Sequence, residues 1–258
     1  MVTFGICGGA DMFATAPEGL DFLECTVGQM LPRDDDAAFA PALAELTGAC
    51  APFMAANCFL PGDLKTTGPV VDEAALDAYV DTAFARAQQV GIKRIVFGSG
   101  GSREVPEGFC KDEAFQQMVG HCKRFGPIAA KYDITIVIEP LQLAECNIIN
   151  TVTEGVKLAK AVDHPNVKVL ADFYHMACDG EGPESIVAAG DLLQHVHVAE
   201  KEKRTAPGME GDDLRPYLKA LKEIGYDGMI SIEASFGDDA AAQAPLSLAE
   251  LRKQYNEA

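Results

Sequence analysis

Eight short apolar runs, each rich in β-branched residues, recur along the chain with room for a helix between most of them. They are TFGICG (3–8), LDFLECTV (20–27), PFMAANCFL (52–60), KRIVFGSG (93–100), ITIVIEP (134–140), VKVLADF (167–173), LLQHVHVAE (192–200) and GMISIEA (228–234). Such runs read as strands buried on both faces, and the intervals make them parallel, because a parallel pair needs a crossover long enough to hold a helix. The intervals have helical period. In DEAALDAYVDTAFARAQQVG (72–91), Leu76, Val80, Ala83, Phe84 and Ala87 fall on one face. DEAFQQMVGHCKRFGPIAAKYD (112–133) and DLRPYLKALKEIGYDG (213–228) repeat the pattern. Eight strands in alternation with helices predict an α/β fold, a (β/α)8 TIM barrel forming a single domain over residues 1–258, with a doubly wound open sheet as the alternative. GSGGSR (98–103) has neither GxGxxG nor Walker spacing and reads as a tight turn after a strand, with Arg103 as a candidate phosphate contact.

Charge narrows the partners. The chain has 21 basic and 39 acidic residues, a formal net charge of -18, and no Lys/Arg cluster able to neutralise a phosphate backbone, so nucleic acid is not an expected partner. The eight cysteines form no CxxC pair and no close disulfide-type spacing, which reads as free thiols in a reducing cytoplasm. The sequence shows neither a secretory leader nor an apolar run of about 18 residues, so a cytoplasmic protein with no membrane association is expected.

In a parallel barrel the chemistry sits where strands end, because the loops there frame the open face of the packed interior. Four successive strands end in polar residues: Glu139 after ITIVI, Asp172 after VKVLA, His197 within HVHV, and Glu233 after ISI. One strand-end carboxylate is ordinarily a helix cap or a solvated group. Four at the same end of neighbouring strands converge, and three carboxylates brought together need protons or a cation to offset their repulsion and desolvation. Side-chain alternation puts His195 and His197 on the same face. If that face is inward, His197 lies nearer the mouth and is the ligand candidate, while His195 sits about 6 to 7 Å deeper as a supporting or core residue. Three carboxylates and one imidazole suit Mn²⁺, Mg²⁺ or Co²⁺ better than a structural Zn²⁺, without excluding Zn²⁺.

The motifs IEPLQLAECNIINT (138–151), LADFYHM (170–176), HVHVAEKEKR (195–204) and GYDGMISIE (225–233) resemble those of the sugar isomerase/epimerase barrels related to xylose isomerase, which include the D-tagatose and D-psicose 3-epimerases. The resemblance runs through most of the chain. It implies a divalent metal, Mn²⁺ foremost, on Glu139, Asp172, His197 and Glu233, with Glu139 and Glu233 as the acid/base pair at the substrate's C3. It further implies sugar contacts from Glu145, His175 and an arginine in the loop after HVH. In the family that arginine stands six residues after the second histidine. Arg204 stands seven after His197 but keeps its distance to Pro207-Gly208, so Arg204 is favoured and Lys203 is the alternative.

The implied activity is ketose 3-epimerisation through a metal-stabilised cis-enediolate. Aldose/ketose isomerisation, dehydration of a sugar or inosose, and a non-enzymatic sugar-binding barrel are the competing readings, and a homodimer or homotetramer is the implied assembly. The related abasic-site endonucleases gather several zinc ions with many histidines, which five histidines and the acidic charge disfavour. Glu24, read as lying at the end of the second strand, is expected to line the same mouth without an assigned role, and Phe59, Leu60 and Pro61 are expected to wall the sugar's far end.

Overall fold

In the computed structural model, which describes residues 1–258, every one of the eight runs contains one strand. These are β1 (Thr3–Cys7), β2 (Phe22–Thr26), β3 (Phe53–Asn57), β4 (Arg94–Phe97), β5 (Thr135–Ile138), β6 (Val167–Asp172), β7 (Leu193–Val198) and β8 (Met229–Ile232). Each pairs in parallel with its sequence neighbours, and β1 closes the ring on β8 with Thr3 opposite Met229 and Ile6 opposite Ile232. The closed barrel excludes the open sheet. The apolar runs overshoot the strands because the loops that follow are themselves buried: Cys58 leaves β3 with φ 51, yet Phe59 and Leu60 beyond it are covered.

The helix predicted over 72–91 forms as Glu73–Val90. Asp72 caps its start by accepting the Ala75 N–H at 2.9 Å, and Gly91, at φ 103, ends it in the left-handed region that glycine tolerates. All five residues of its apolar face are fully buried. The other two predicted helices form as Lys111–Lys131 and Arg215–Glu223. Between the sheet and its helices runs one apolar cluster of 62 buried residues.

Inward-facing residues follow from period-two alternation and the register between strands. Leu170 lies opposite His195 and Asp172 opposite His197, while His197 lies opposite Ser231. Low in the interior are two small apolar groups, Phe22–Ala55–Met229 and Val96–Val137–Leu170. Gly5 belongs to this layer, since a Cβ there would stand 2.4 Å from the Phe22 ring. Glu139, two residues beyond Val137, and Glu233, two beyond Ser231, continue the inward face to the mouth.

Two expectations are corrected. Arg103 is fully buried, and its guanidinium donates to the carbonyl oxygens of Phe97 at 2.9 Å and Glu139 at 2.7 Å, so it ties the ends of β4 and β5 together and presents nothing to a phosphate. Phe59 is likewise fully buried, stacked on Phe84 at 5.2 Å and edge-on to Phe97 and Phe125, because its long apolar ring is drawn into the layer between sheet and helices. Of the three residues expected to wall the sugar, Leu60 borders the mouth.

Candidate metal centre and cleft

At the barrel mouth one donor atom from each of Glu139, Asp172, His197 and Glu233 lies within 4.8 Å of the others. His197 Nδ1 is 3.2 Å from Glu139 Oε1 and 3.2 Å from Glu233 Oε2. His197 and Asp172 are essentially inaccessible and Glu139 is only 6% exposed, whereas the Glu233 side chain keeps 23% of its surface and faces the opening. The turn after β4 makes room for this arrangement: a Cβ on Gly98 would stand 2.0 Å from Glu139 Oε2.

The environments of the two glutamates differ. Burial raises the pKa of Glu139, and the nearby Glu233 and Asp172 charges push the same way against the opposing pull of His197. Burial acts in that direction on Glu233 too, but the His197 and Arg204 charges outweigh it and hold the carboxyl below its ordinary range. Burial opposes a charge on His197, yet the Glu24 and Glu233 carboxylates prevail and raise its pKa well above the usual value.

The donor set fits a divalent cation. Three carboxylates and an imidazole nitrogen converge on one point with a single guanidinium beside them, an oxygen-rich set of the kind hard or borderline divalent ions take. Cys7, Glu24 and His197 form a second close group, but both Glu24 oxygens already accept hydrogen bonds and burial raises the Cys7 thiol well above its usual pKa. That group is satisfied without an ion.

Beside the four residues opens a cleft of about 280 Å³ whose lining includes Glu139, Glu233, Glu145, His175 and Arg204. His175 is 3% exposed, with Nε2 3.5 Å from Asp172 Oδ2 and Nδ1 unpartnered. Arg204 Nη2 donates to Asp172 Oδ2 at 3.1 Å and to Glu233 Oε2, its Nη1 lies 3.9 Å from Glu145, and the guanidinium stacks 4.6 Å from the Tyr174 ring. Lys203 points away, exposed and paired with Glu210 at 3.1 Å. Two successive residues in the left-handed region, Lys203 at φ 55 and Arg204 at φ 52, turn the loop so that the arginine and not the lysine reaches the mouth.

Three residues of this site carry no role in the sequence reading. Asn57, ending β3, donates from Nδ2 to Glu233 Oε1 at 2.9 Å. Glu24 is fully buried against His195, His197 and Ser231. Glu200, also fully buried, accepts the N–H groups of Gly208 at 2.7 Å, Gly211 at 3.1 Å, Asp212 at 3.2 Å and Glu210, curling the Arg204 loop around one carboxylate. Position at a strand end was the available signal for Asn57, whereas Glu24 stands in the middle of β2 and is marked only as a charge inside an apolar strand. Nothing local marks Glu200.

A family profile described as "Xylose isomerase-like TIM barrel" matches residues 14–254. The chain belongs to that family. Among curated proteins, L-ribulose 3-epimerase of Methylomonas sp. (strain DH-1) is 36% identical over 117 residues, 45% of this chain and 41% of that protein. D-psicose 3-epimerase of Ruminiclostridium cellulolyticum is 32% identical over 120 residues, 46% of this chain and 41% of its own length. The matched stretch therefore spans well under half of either relative. Among solved structures, D-allulose 3-epimerase from Methylomonas sp. in complex with D-allulose superposes with a TM-score of 0.83 at 22% identity, covering 98% of this chain and 97% of that one. The IOLI protein with a bound zinc atom superposes with a TM-score of 0.69 at 19% identity, covering 99% and 97%. At these identities the superpositions speak for the fold.

Proposed function

We propose that the protein is a divalent-metal-dependent ketose 3-epimerase, with Glu139 and Glu233 exchanging the proton at C3. The observation that carries this is the meeting of Glu139, Asp172, His197 and Glu233 within 4.8 Å at the edge of a polar cleft. Glu139, Asp172, His197 and Glu233 would hold the ion, Mn²⁺ foremost, which supplies polarisation of the substrate carbonyl and so acidifies the adjacent C–H.

Inversion at a carbon requires a proton to leave from one face and arrive on the other. Glu139 follows β5 and Glu233 follows β8, three strands apart around the ring, and both border the cleft. One carboxylate removes the C3 proton and the other returns a proton to the opposite face, with an enediolate between the two steps. Arg204, held by Asp172, Glu233 and Tyr174, and His175, whose side chain lines the cleft, are the candidates to hydrogen-bond the oxygens that gain charge. Glu145, on the far side of Arg204, accepts from sugar hydroxyls. The eight unpaired cysteines support a reducing cytoplasm as its setting, and a homodimer or homotetramer completes the proposal.

Incubation of the Mn²⁺-loaded protein with free ketoses in D₂O should place deuterium at C3 of the epimerised product by NMR. Epimerisation without deuterium uptake refutes the proton-exchange route. Deuterium at C1 or C2, with an aldose product, converts the reading to an isomerase, which the 28% identity over 134 residues to inosose isomerase of Bacillus subtilis keeps in view.

A further inference from the structure

The imidazole of His197 is gripped from two directions. Its Nδ1 faces Glu139 and Glu233 at 3.2 Å each, and its Nε2 lies 2.9 Å from Glu24 Oε1. Glu24 comes from β2, three strands from β7 in ring order, so its side chain reaches across the barrel interior. Glu24, His195, His197 and Ser231 are all fully buried there. The other Glu24 oxygen, Oε2, accepts from Ser231 Oγ at 2.6 Å and faces His195 Nε2 at 2.8 Å.

A carboxylate only accepts, so each histidine nitrogen facing Glu24 must carry a proton. In the neutral imidazole that leaves Nδ1 of His197 as the lone-pair nitrogen, aimed at the cluster. We propose that Glu24 is a positioning residue for the metal centre: it fixes the His197 tautomer and ring orientation, with His195 and Ser231 holding Glu24 in place. This rests on the metal reading of the four mouth residues. His195 thereby acquires a function, as a donor that keeps the carboxylate from rotating.

Glutamine at position 24 shows why the charge matters. If the amide oxygen faces His197, the amide NH₂ faces His195 and Ser231, which then lose their acceptor. If the NH₂ faces His197, the imidazole must shift its proton to Nδ1 and point N–H at the cation. Either orientation loosens or reverses the ligand, and partners of this kind are worth about 10- to 100-fold in metal affinity.

The test is Mn²⁺ affinity by electron paramagnetic resonance of wild type and Glu24→Gln, beside ¹⁵N-histidine NMR of the wild-type protein loaded with Zn²⁺. The expected result is a Kd weakened by about 10- to 100-fold in the variant, and in the wild type a proton on Nε2 of His197 with the metal-induced shift on Nδ1. Should Glu24→Gln fail to fold by circular dichroism, the NMR assignment decides: a metal shift on Nε2 overturns the inference. Equal Kd values in wild type and folded variant also overturn it while leaving the metal centre intact. Absence of metal binding by the wild type overturns both.

Discussion

The two sides of the β-sheet are built on different principles. Outside, 62 buried apolar residues form one continuous cluster against the helices. Inside, apolar packing shrinks to two groups of three, and beside and beyond them Glu24, His195, His197 and Ser231 occupy buried space through directional hydrogen bonds. Burial outside is favourable wherever apolar atoms meet, so it tolerates conservative change. Burial inside costs desolvation that only correctly placed partners offset, so a change of one atom type is felt. The outer layer maintains the barrel and the inner column prepares its mouth.

That division breaks if variants of the inner mouth unfold the protein or if outer variants silence it while folded. The largest expected effect is on turnover: Glu139→Gln or Glu233→Gln should lower kcat by at least about 10²–10⁴-fold, with the urea midpoint close to that of the wild type. A folded Gln variant at either position that keeps full activity would remove that glutamate from the chemistry. On the outer side, Phe84→Ala deletes a ring stacked on Phe59 and should cost about 3–5 kcal/mol in urea unfolding. Its activity per folded molecule should persist, and a selective loss of kcat would show that the layers are coupled.

Arg204→Ala removes a guanidinium shared by Asp172 and Glu233, and KM should rise by about 10- to 100-fold, as expected for hydrogen bonds to charged groups. Metal loading sharpens the contrast through pH. Glu139 and His197 both have raised pKa values in the metal-free site, whereas both must be deprotonated to act as ligands. Affinity should therefore be full above those raised values and decline as pH falls through them, with protons released on binding. Calorimetry in two buffers of different ionisation enthalpy reads the release, and proton uptake would contradict the ligand set. The smallest effect belongs to Lys203→Ala, within about 0.5 kcal/mol of wild type in stability and unchanged in KM, because that side chain is solvent-facing and paired only with Glu210.

Much of this arrangement is legible before any coordinates. Strand and helix periods are local consequences of backbone geometry, so all eight strands and the apolar face of the helix Glu73–Val90 follow from residue order. The four mouth residues are legible as strand-end polar groups, and the structure shows that the alternation turns all four inward. The sequence favours Arg204 over Lys203 without fixing it, because one extra residue can be absorbed in many ways, and the paired left-handed residues at 203 and 204 turn the arginine inward. Arg103 and Phe59 were misjudged for a related reason: adjacency to a mouth does not reveal whether a side chain enters it or folds beneath.

Residue order thus determines the strands, their alternation and which residues can converge, because those depend on spacings of a few residues, whereas the closed barrel decides which face of each strand points inward. The partners of Glu24 lie 171, 173 and 207 residues away, and Asn57 is 176 residues from Glu233. Only closure of β1 on β8 brings β2 and β3 across from β7 and β8, and so decides which nitrogen of His197 faces the other three donors.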